Sequence, residues 1–315
     1  MSKFLVRRFF ASLIVIFGVV TLVFFTMRAA PGDPVDAILG EQAAEEDRTA
    51  LRECLNLIDE DGDPVPVIEQ YVLFWGDVLN GTLGELCDEP GVTVAERLIE
   101  NIPPTFELAL AAMFFALMVG LPLGILAALR PYSWVDNTTA VVSLMGISIP
   151  NFWLGPMLLI LFSLTLQWLP NPGAGVAGLS ALVLPAITLG TAMSAKLMRM
   201  TRSSLMEMLN QDFVRTAKAK GLPSTKVVLK HALRTALIPV ITIVGLQFGA
   251  LLTGAIIVEK IFARPGVGTL LLDGIEQRNY LIVQGSVLFI SFTYVIVNLV
   301  TDLVYAWVDP RIRYD

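Results

Sequence analysis

Apolar positions in this chain come in long unbroken runs, not in the alternation of a strand or the three-and-four spacing of a half-buried helix. The runs cover about Phe9–Met27, Thr105–Leu129, Asn137–Trp168, Leu182–Met198, Leu237–Val258 and Gly285–Trp307. Each holds roughly 17 residues or more, enough for a helix to cross a bilayer core. The pattern predicts an all-α, polytopic membrane protein with six transmembrane helices. The polar segments divide it into residues 1–29 (tail and first helix), residues 30–103 (a polar excursion) and residues 104–315 (the core, helices two to six). A charged elbow at 203–237 lies within that core.

Lys3, Arg7 and Arg8 precede the first run. Ala29-Ala30 would suit signal-peptide cleavage, but the run is long for that and Arg28 intervenes, so an uncleaved span is expected. Pro31-Gly32-Asp33-Pro34 stops the helix. In the excursion, Asp59–Pro64 (DEDGDP) marks a turn, and Val67–Leu79 is apolar but too short to cross. Tyr71 and Trp75 suit it to the membrane interface. Asn80-Gly81-Thr82 matches a glycosylation sequon. Cys54 and Cys87, the chain's two cysteines, both fall here. If the excursion faces an oxidising compartment they form a disulfide; otherwise they are two free thiols. Pro150, with Asn151 and Trp153, interrupts the third run. It marks either a packing kink or backbone lining a translocation path. Gly245-x-x-x-Gly249 is a small-residue pattern for close helix packing. Glu107 is expected at the interface, and Asp302 is expected to pair with a base of the elbow.

Composition agrees: 55% of residues are hydrophobic, 16% charged, and the mean hydropathy is +0.69. The net charge of −6 hides a segregation. Between Ala30 and Glu100 there are eighteen acids and three bases, so the rest of the chain is basic. With six spans and both ends inside, the inner segments hold 15 of the 22 Lys and Arg, which supports that orientation. The bases hug membrane-proximal helices without interleaved stacking aromatics, so nucleic-acid binding has no support. No G-x-x-x-x-G-K-[ST] occurs, and one histidine excludes HExxH and His-rich zinc sites. Ser148 lies within a span, but His231 sits in the charged elbow, which argues against an intramembrane serine protease.

The elbow reads SSLMEMLNQDFVRTAKAKGLPSTKVVLKHALRTALIP, with six bases against Glu207 and Asp212. Asp212 suits a helix N-cap, and Gly221 followed by Pro223 suits its end. Ser224 suits the cap of a second helix running to about Leu237. Phe213 and Ala217, at i,i+4, are expected to share a face. The segment resembles the cytoplasmic loop of ABC-importer permeases that docks on the ATPase. Arg215-Thr216-Ala217 stands where that loop has Glu-Ala-Ala. His231-Ala232-Leu233-Arg234 stands where it has Ile-x-Leu-Pro. RTAxAKGL followed by HALRxALIP resembles the variant of the dipeptide/oligopeptide/nickel permease family, and FLVRR, PGDPV and DPRIR extend the likeness along the chain.

That resemblance implies the type I importer permease fold with an acidic external insertion after helix one. It implies a non-enzymatic subunit in a bacterial inner membrane, carrying di- or oligopeptides, with nickel or another small solute as the alternative. The implied partners are a second homologous permease, two cytoplasmic ABC ATPases, an extracytoplasmic solute-binding protein and the lipid bilayer. No cofactor binds this chain, ATP and magnesium being held by the ATPases. Asp212, Phe213, Arg215, Thr216, Ala217, Lys218, Gly221 and His231 would form the ATPase-coupling surface. An ion-coupled secondary transporter is the competing class, but midplane ionisable groups and inverted repeats are not evident.

Overall fold

The computed structural model describes residues 2–40, 42–59, 61–173 and 178–308, which are helical apart from turns and two isolated β-bridges. The DPRIRYD tail and the side chain of Asp302 lie outside the described residues. Five helices are long and apolar enough to cross a membrane: Phe10–Ala29, Val94–Leu129, Leu179–Leu209, Ser224–Thr253 and Tyr280–Thr301. The expected third span is instead two helices, Trp134–Ser148 and Asn151–Thr165, inclined at 104°. Together they make the sixth crossing if the bent pair is one span. Pro150 explains the break, because its ring holds Ile149 extended (φ −81°, ψ 118°) and it has no N–H to continue the ladder.

The chain divides into two compact units, residues 1–105 with 265–295 and residues 106–264 with 296–315. The first contains α1 (Ser2–Ala29), α2 (Pro34–Leu39), α3 (Glu45–Cys54), α4 (Val67–Asn80), the start of α5 (Val94–Leu129), and later two further helices. α4 is held by aromatic contacts. Phe74 is buried with Ile16, Val20 and Phe24 of α1, and Tyr71 and Trp75 pack beside them. The Tyr71 and Thr21 hydroxyls are 2.6 Å apart, and Phe17 stacks on Trp75. The two aromatics expected at a membrane interface therefore pack against α1.

Asp33 caps α2, accepting from the Val35 N–H at 2.9 Å and from Arg52 of α3 at 3.0 Å. Beside it, Gly32 sits at φ +108° with the Arg278 guanidinium where a Cβ would be, while Arg278 donates to the Pro31 carbonyl at 2.7 Å. At that φ any side chain would be strained, and it would also displace the guanidinium, so glycine suits the position. Val35, Leu51 and Leu55 form a small core closed by Cys87.

α5 begins at Val94, eleven residues before the expected Thr105. A capping box starts it: the Glu96 carboxylate accepts from the Thr93 N–H (2.9 Å), and the Thr93 hydroxyl accepts from the Glu96 N–H (3.2 Å). The helix then runs through Pro103-Pro104. The segment after residue 264 carries a ten-residue helix, Val267–Glu276, before the last helix starts at Tyr280. Val267 and Ile282 bury against Leu86, Val94 and Leu98.

The second unit is built on Leu179–Leu209, labelled α8 after α6 (Trp134–Ser148) and α7 (Asn151–Leu158), whose end continues as a π-helical segment to Thr165. Its core joins Leu108, Ala112 and Ala116 of α5 to Leu189, Met193 and Leu197 of α8 and to Val240, Leu251 and Ala255 of α11 (Leu233–Ile261). Glycine lets the backbones touch. A Cβ on Gly190 would lie 2.6 Å from the Ala112 carbonyl oxygen; on Gly120 and Gly124 it would lie 2.7 Å from those of Ser194 and Met198. So Gly120-x-x-x-Gly124 makes a close crossing with α8 that the sequence reading did not single out. Gly245 also has a tight neighbour, Thr301, at 3.0 Å. Ser204 Oγ donates to the Ala236 carbonyl at 2.9 Å, tying α8 to α11.

Candidate functional site: the elbow after α8

α9 (Asp212–Ala219) is one short amphipathic helix. Its buried stripe is Val214 and Ala217, which pack on Leu205 of α8, Ala128 of α5, and Val227, Ala232 and Ala236. Burying Val214 alone contributes about 1.5–3 kcal/mol, enough to seat a helix too short to be stable in isolation. Gly221 takes the left-handed position (φ +75°) that ends the helix. Its N–H donates to the Lys218 carbonyl and that of Leu222 to the Ala217 carbonyl, which closes a Schellman-type turn.

Two local expectations are corrected. Gln211, not Asp212, occupies the N-cap; Asp212 is the first helical residue, and its carboxylate lies 3.4 Å from Arg215. Phe213 and Ala217 are neighbours at i,i+4 but are not equally open. Phe213 is 42% exposed whereas Ala217 is 7% exposed, because the buried pair is i,i+3. Ser224 is not a cap: Pro223 holds that place, and the second arm does not stop near Leu237. α10 (Ser224–Lys226), a π-helical segment Val227–Ala232 and α11 form one unbroken helical run to Ile261.

The outward face of α9 therefore carries Asp212, Phe213, Arg215, Thr216 and Lys218. The Thr216 hydroxyl donates to the Asp212 carbonyl (2.9 Å). The Asp212–Arg215 pair is 94% and 75% exposed, so it contributes well under about 1 kcal/mol and leaves both groups available. His231 is half-buried in the π-helical segment, and its carbonyl accepts from the Thr235 hydroxyl. The elbow thus gathers Asp212 to Gly221 on one short helix and its turn, with Ala217 facing inward and His231 on the following arm. Its chemistry is a basic ridge around one exposed aromatic ring. Among the described residues no cluster of His, Cys, Asp or Glu could hold a metal ion.

Pro150, Asn151 and Trp153 stand apart from the elbow, at the break between α6 and α7. Pro150 occupies the N-cap of α7, Asn151 is half-buried and Trp153 is 51% exposed. The Cys54 and Cys87 sulfurs are bonded, with Cα atoms 5.9 Å apart. Glu107 pairs with Arg264.

One interaction had no local signal. The Asp136 carboxylate, at the start of α6, is buried and accepts from Arg202 of α8 and, at 2.9 Å, from the Tyr132 N–H. A second Asp136–Arg202 bond, at 2.7 Å, makes the pair bidentate. The partners are 66 residues apart, which no spacing rule reads.

The profile of the family described as binding-protein-dependent transport system inner membrane component matches residues 120–314. A companion profile for the N-terminal part of such membrane components matches residues 1–109. The chain is 40% identical over 341 residues to the di/tripeptide transport system permease protein DppB of Pseudomonas aeruginosa, covering 100% of this chain and 99% of that one. It is 37% identical over 322 residues to the oligopeptide transport system permease protein AppB of Bacillus subtilis, covering all of both. It is 38% identical over 314 residues to the glutathione transport system permease protein GsiC of Escherichia coli, again covering all of both. Among solved structures, the inward-facing MetNI methionine ABC transporter aligns with a TM-score of 0.54 at 16% identity, covering 68% of this chain and 96% of that one. That likeness shows the fold.

Proposed function

The chain belongs to the family of binding-protein-dependent transport system inner membrane components, and from that premise we propose that it is one permease subunit of an ATP-driven importer of short peptides. The observation that carries this reading is full-length similarity, at 37–40% identity, to permease proteins of peptide transport systems. The chain forms half of the path, and a second, homologous permease forms the other half. Two cytoplasmic ATPases bind and hydrolyse ATP with magnesium, and an extracytoplasmic solute-binding protein delivers the cargo. The elbow and both chain ends lie on the ATPase side, an orientation supported by the bias of Lys and Arg toward those segments.

Coupling follows from how the elbow is built. α9 offers Phe213, Arg215, Thr216 and Lys218 to a groove on the ATPase, while Val214 and Ala217 fasten it to α5, α8 and the arm leading into α11. Because that arm is continuous with α11, a push on α9 is transmitted along a helix rather than lost in a loop. The subunit supplies no catalytic group. It holds two arrangements that its partners favour differently.

Arg215→Glu and Phe213→Ala should leave insertion intact and separate ATP hydrolysis from peptide uptake, lowering uptake about tenfold or more. A Lys218→Cys variant should cross-link to the ATPase, with no competing free thiol because both native cysteines are bonded. Normal uptake in both outward-face variants, with no cross-link, would remove the docking role.

A further inference from the structure

The second unit holds a cleft of about 690 Å³ between α6, α8 and α11. That volume lies within the range of small-ligand sites. Its α8 wall presents Lys196, Arg199, Arg202 and Ser203, and its α6 wall presents Thr139 and Ser143. No acid lines it among the described residues. The three cations differ in how far they are already committed. Arg202 is held by buried Asp136. Lys196 donates to Gln247 Oε1 of α11 at 3.0 Å, and its ammonium keeps further donors. Arg199 is exposed and has no hydrogen-bond or ion-pair partner among the described residues.

Two features show which way this cleft faces. On α6 the buried Thr139 and Ser143 line the cleft beside Ala140, Leu144 and Ile147, so that wall is partly polar. Lys196, Arg199 and Ser203 recur at i, i+3 and i+7, so α8 turns one polar stripe into the same space. Ionisable groups within spans face water-filled cavities or the interior of a bundle, not acyl chains. The cleft is a wet cationic recess bounded by apolar walls, where charge is screened less than in bulk water.

We propose that this recess is a station on the translocation path where Lys196 and Arg199 receive the carboxylate terminus of the passing peptide. The inference rests on the importer reading above and deepens it by naming the chemical group recognised.

The test uses the complete transporter in proteoliposomes, with a tripeptide and its C-terminal amide each supplied at a concentration that saturates the binding protein. Lys196→Met/Arg199→Met should lower uptake of the free acid about tenfold and bring the acid-to-amide ratio close to one. The charge-conserving Lys196→Arg/Arg199→Lys should retain most of the wild-type ratio. Assembly is checked by co-purification with the ATPase subunits, and if the double variant fails there, Arg199→Gln alone carries the comparison. Equal losses for acid and amide would overturn the proposal, as would unchanged uptake. So would a loss that appears in phosphatidylglycerol vesicles but not in phosphatidylcholine, because the recess would then hold a lipid headgroup. Absence of ATP-driven peptide uptake by the wild-type transporter would instead sink the importer reading itself.

Discussion

The acid-rich lobe around α2, α3 and α4 and the glycine-lined crossing of α5 with α8 solve the same problem with different forces. In the lobe, short helices are fastened by a disulfide, by Asp33–Arg52 and Asp36–Arg48 pairs, and by a stack of aromatic rings. In the crossing, small residues bring backbones into contact: Gly120 and Gly124 against α8, Gly190 against α5. The difference follows from solvent. Water supplies a hydrophobic driving force but leaves a 74-residue polar stretch with little apolar area to bury, so cross-links and ion pairs make up the deficit. Lipid supplies no such force between helices, and close van der Waals contact takes its place.

The largest break in this contrast should come from the crossing. Gly124→Leu with Gly190→Leu places side chains within 2.7 Å of carbonyl oxygens that cannot move without bending a helix. Overpacking typically costs about 1–3 kcal/mol per site, and more against backbone. We expect no monodisperse protein in detergent. A normal gel-filtration profile would show that α5 and α8 can separate without penalty.

Next comes the buried pair. Arg202→Met leaves the Asp136 carboxylate without its bidentate partner, at a cost of about 3–5 kcal/mol. Asp136→Leu with Arg202→Met should recover most of the loss in thermal stability, because what costs is the orphaned charge. If the double variant is no better than the single one, the pair is worth more than its desolvation.

The lobe responds to a different reagent. Cys54→Ser opens a loop of 33 residues, which should cost about 3–4 kcal/mol in the chain-entropy account. Limited proteolysis around α3 reads it directly. A reductant should reproduce the effect in the wild type and add nothing in the variant.

The legibility of these features follows how local their causes are. Gly221 and Pro223 ended α9 visibly, since a left-handed glycine and a ring-locked φ act on their own neighbours. The start of α5 was equally local: Thr93 and Glu96 are a capping box, but Pro103-Pro104 drew the boundary to themselves. The Val267–Glu276 helix was hidden by its brevity and two glycines. The break at Pro150 was visible, yet its 104° angle depends on what α6 and α7 pack against. The partner of Arg202 was not legible, because Asp136 comes from another helix 66 residues away. Ala217 stands among the expected docking residues yet is buried, because it shares the inner stripe of this short helix with Val214.

The smallest effect gives the sharpest reading of the lobe, through pH. Partial burial works against ionisation of Asp33, but the Val35 N–H and the Arg52 guanidinium outweigh it and hold the carboxyl below its ordinary value. A group whose folded pKa is depressed stabilises the fold above its unfolded pKa, near 4, and that contribution is lost as pH falls through the folded value. Asp33→Ala should therefore cost about 1 kcal/mol at neutral pH, as for other N-caps, and less in acid, where the protonated carboxyl still accepts from Val35 but no longer carries charge toward Arg52. Asp33→Asn separates the two causes, because an amide oxygen still accepts from Val35 but no longer carries charge toward Arg52. Hydrogen exchange in α2 and α3, corrected for its intrinsic pH dependence, should place Asn between wild type and Ala at neutral pH. It should also show an acid-dependent loss only where the aspartate is present. If Asn matches wild type throughout, the cap alone anchors the lobe and Arg52 contributes nothing measurable, which would place the ion pair with ordinary surface pairs.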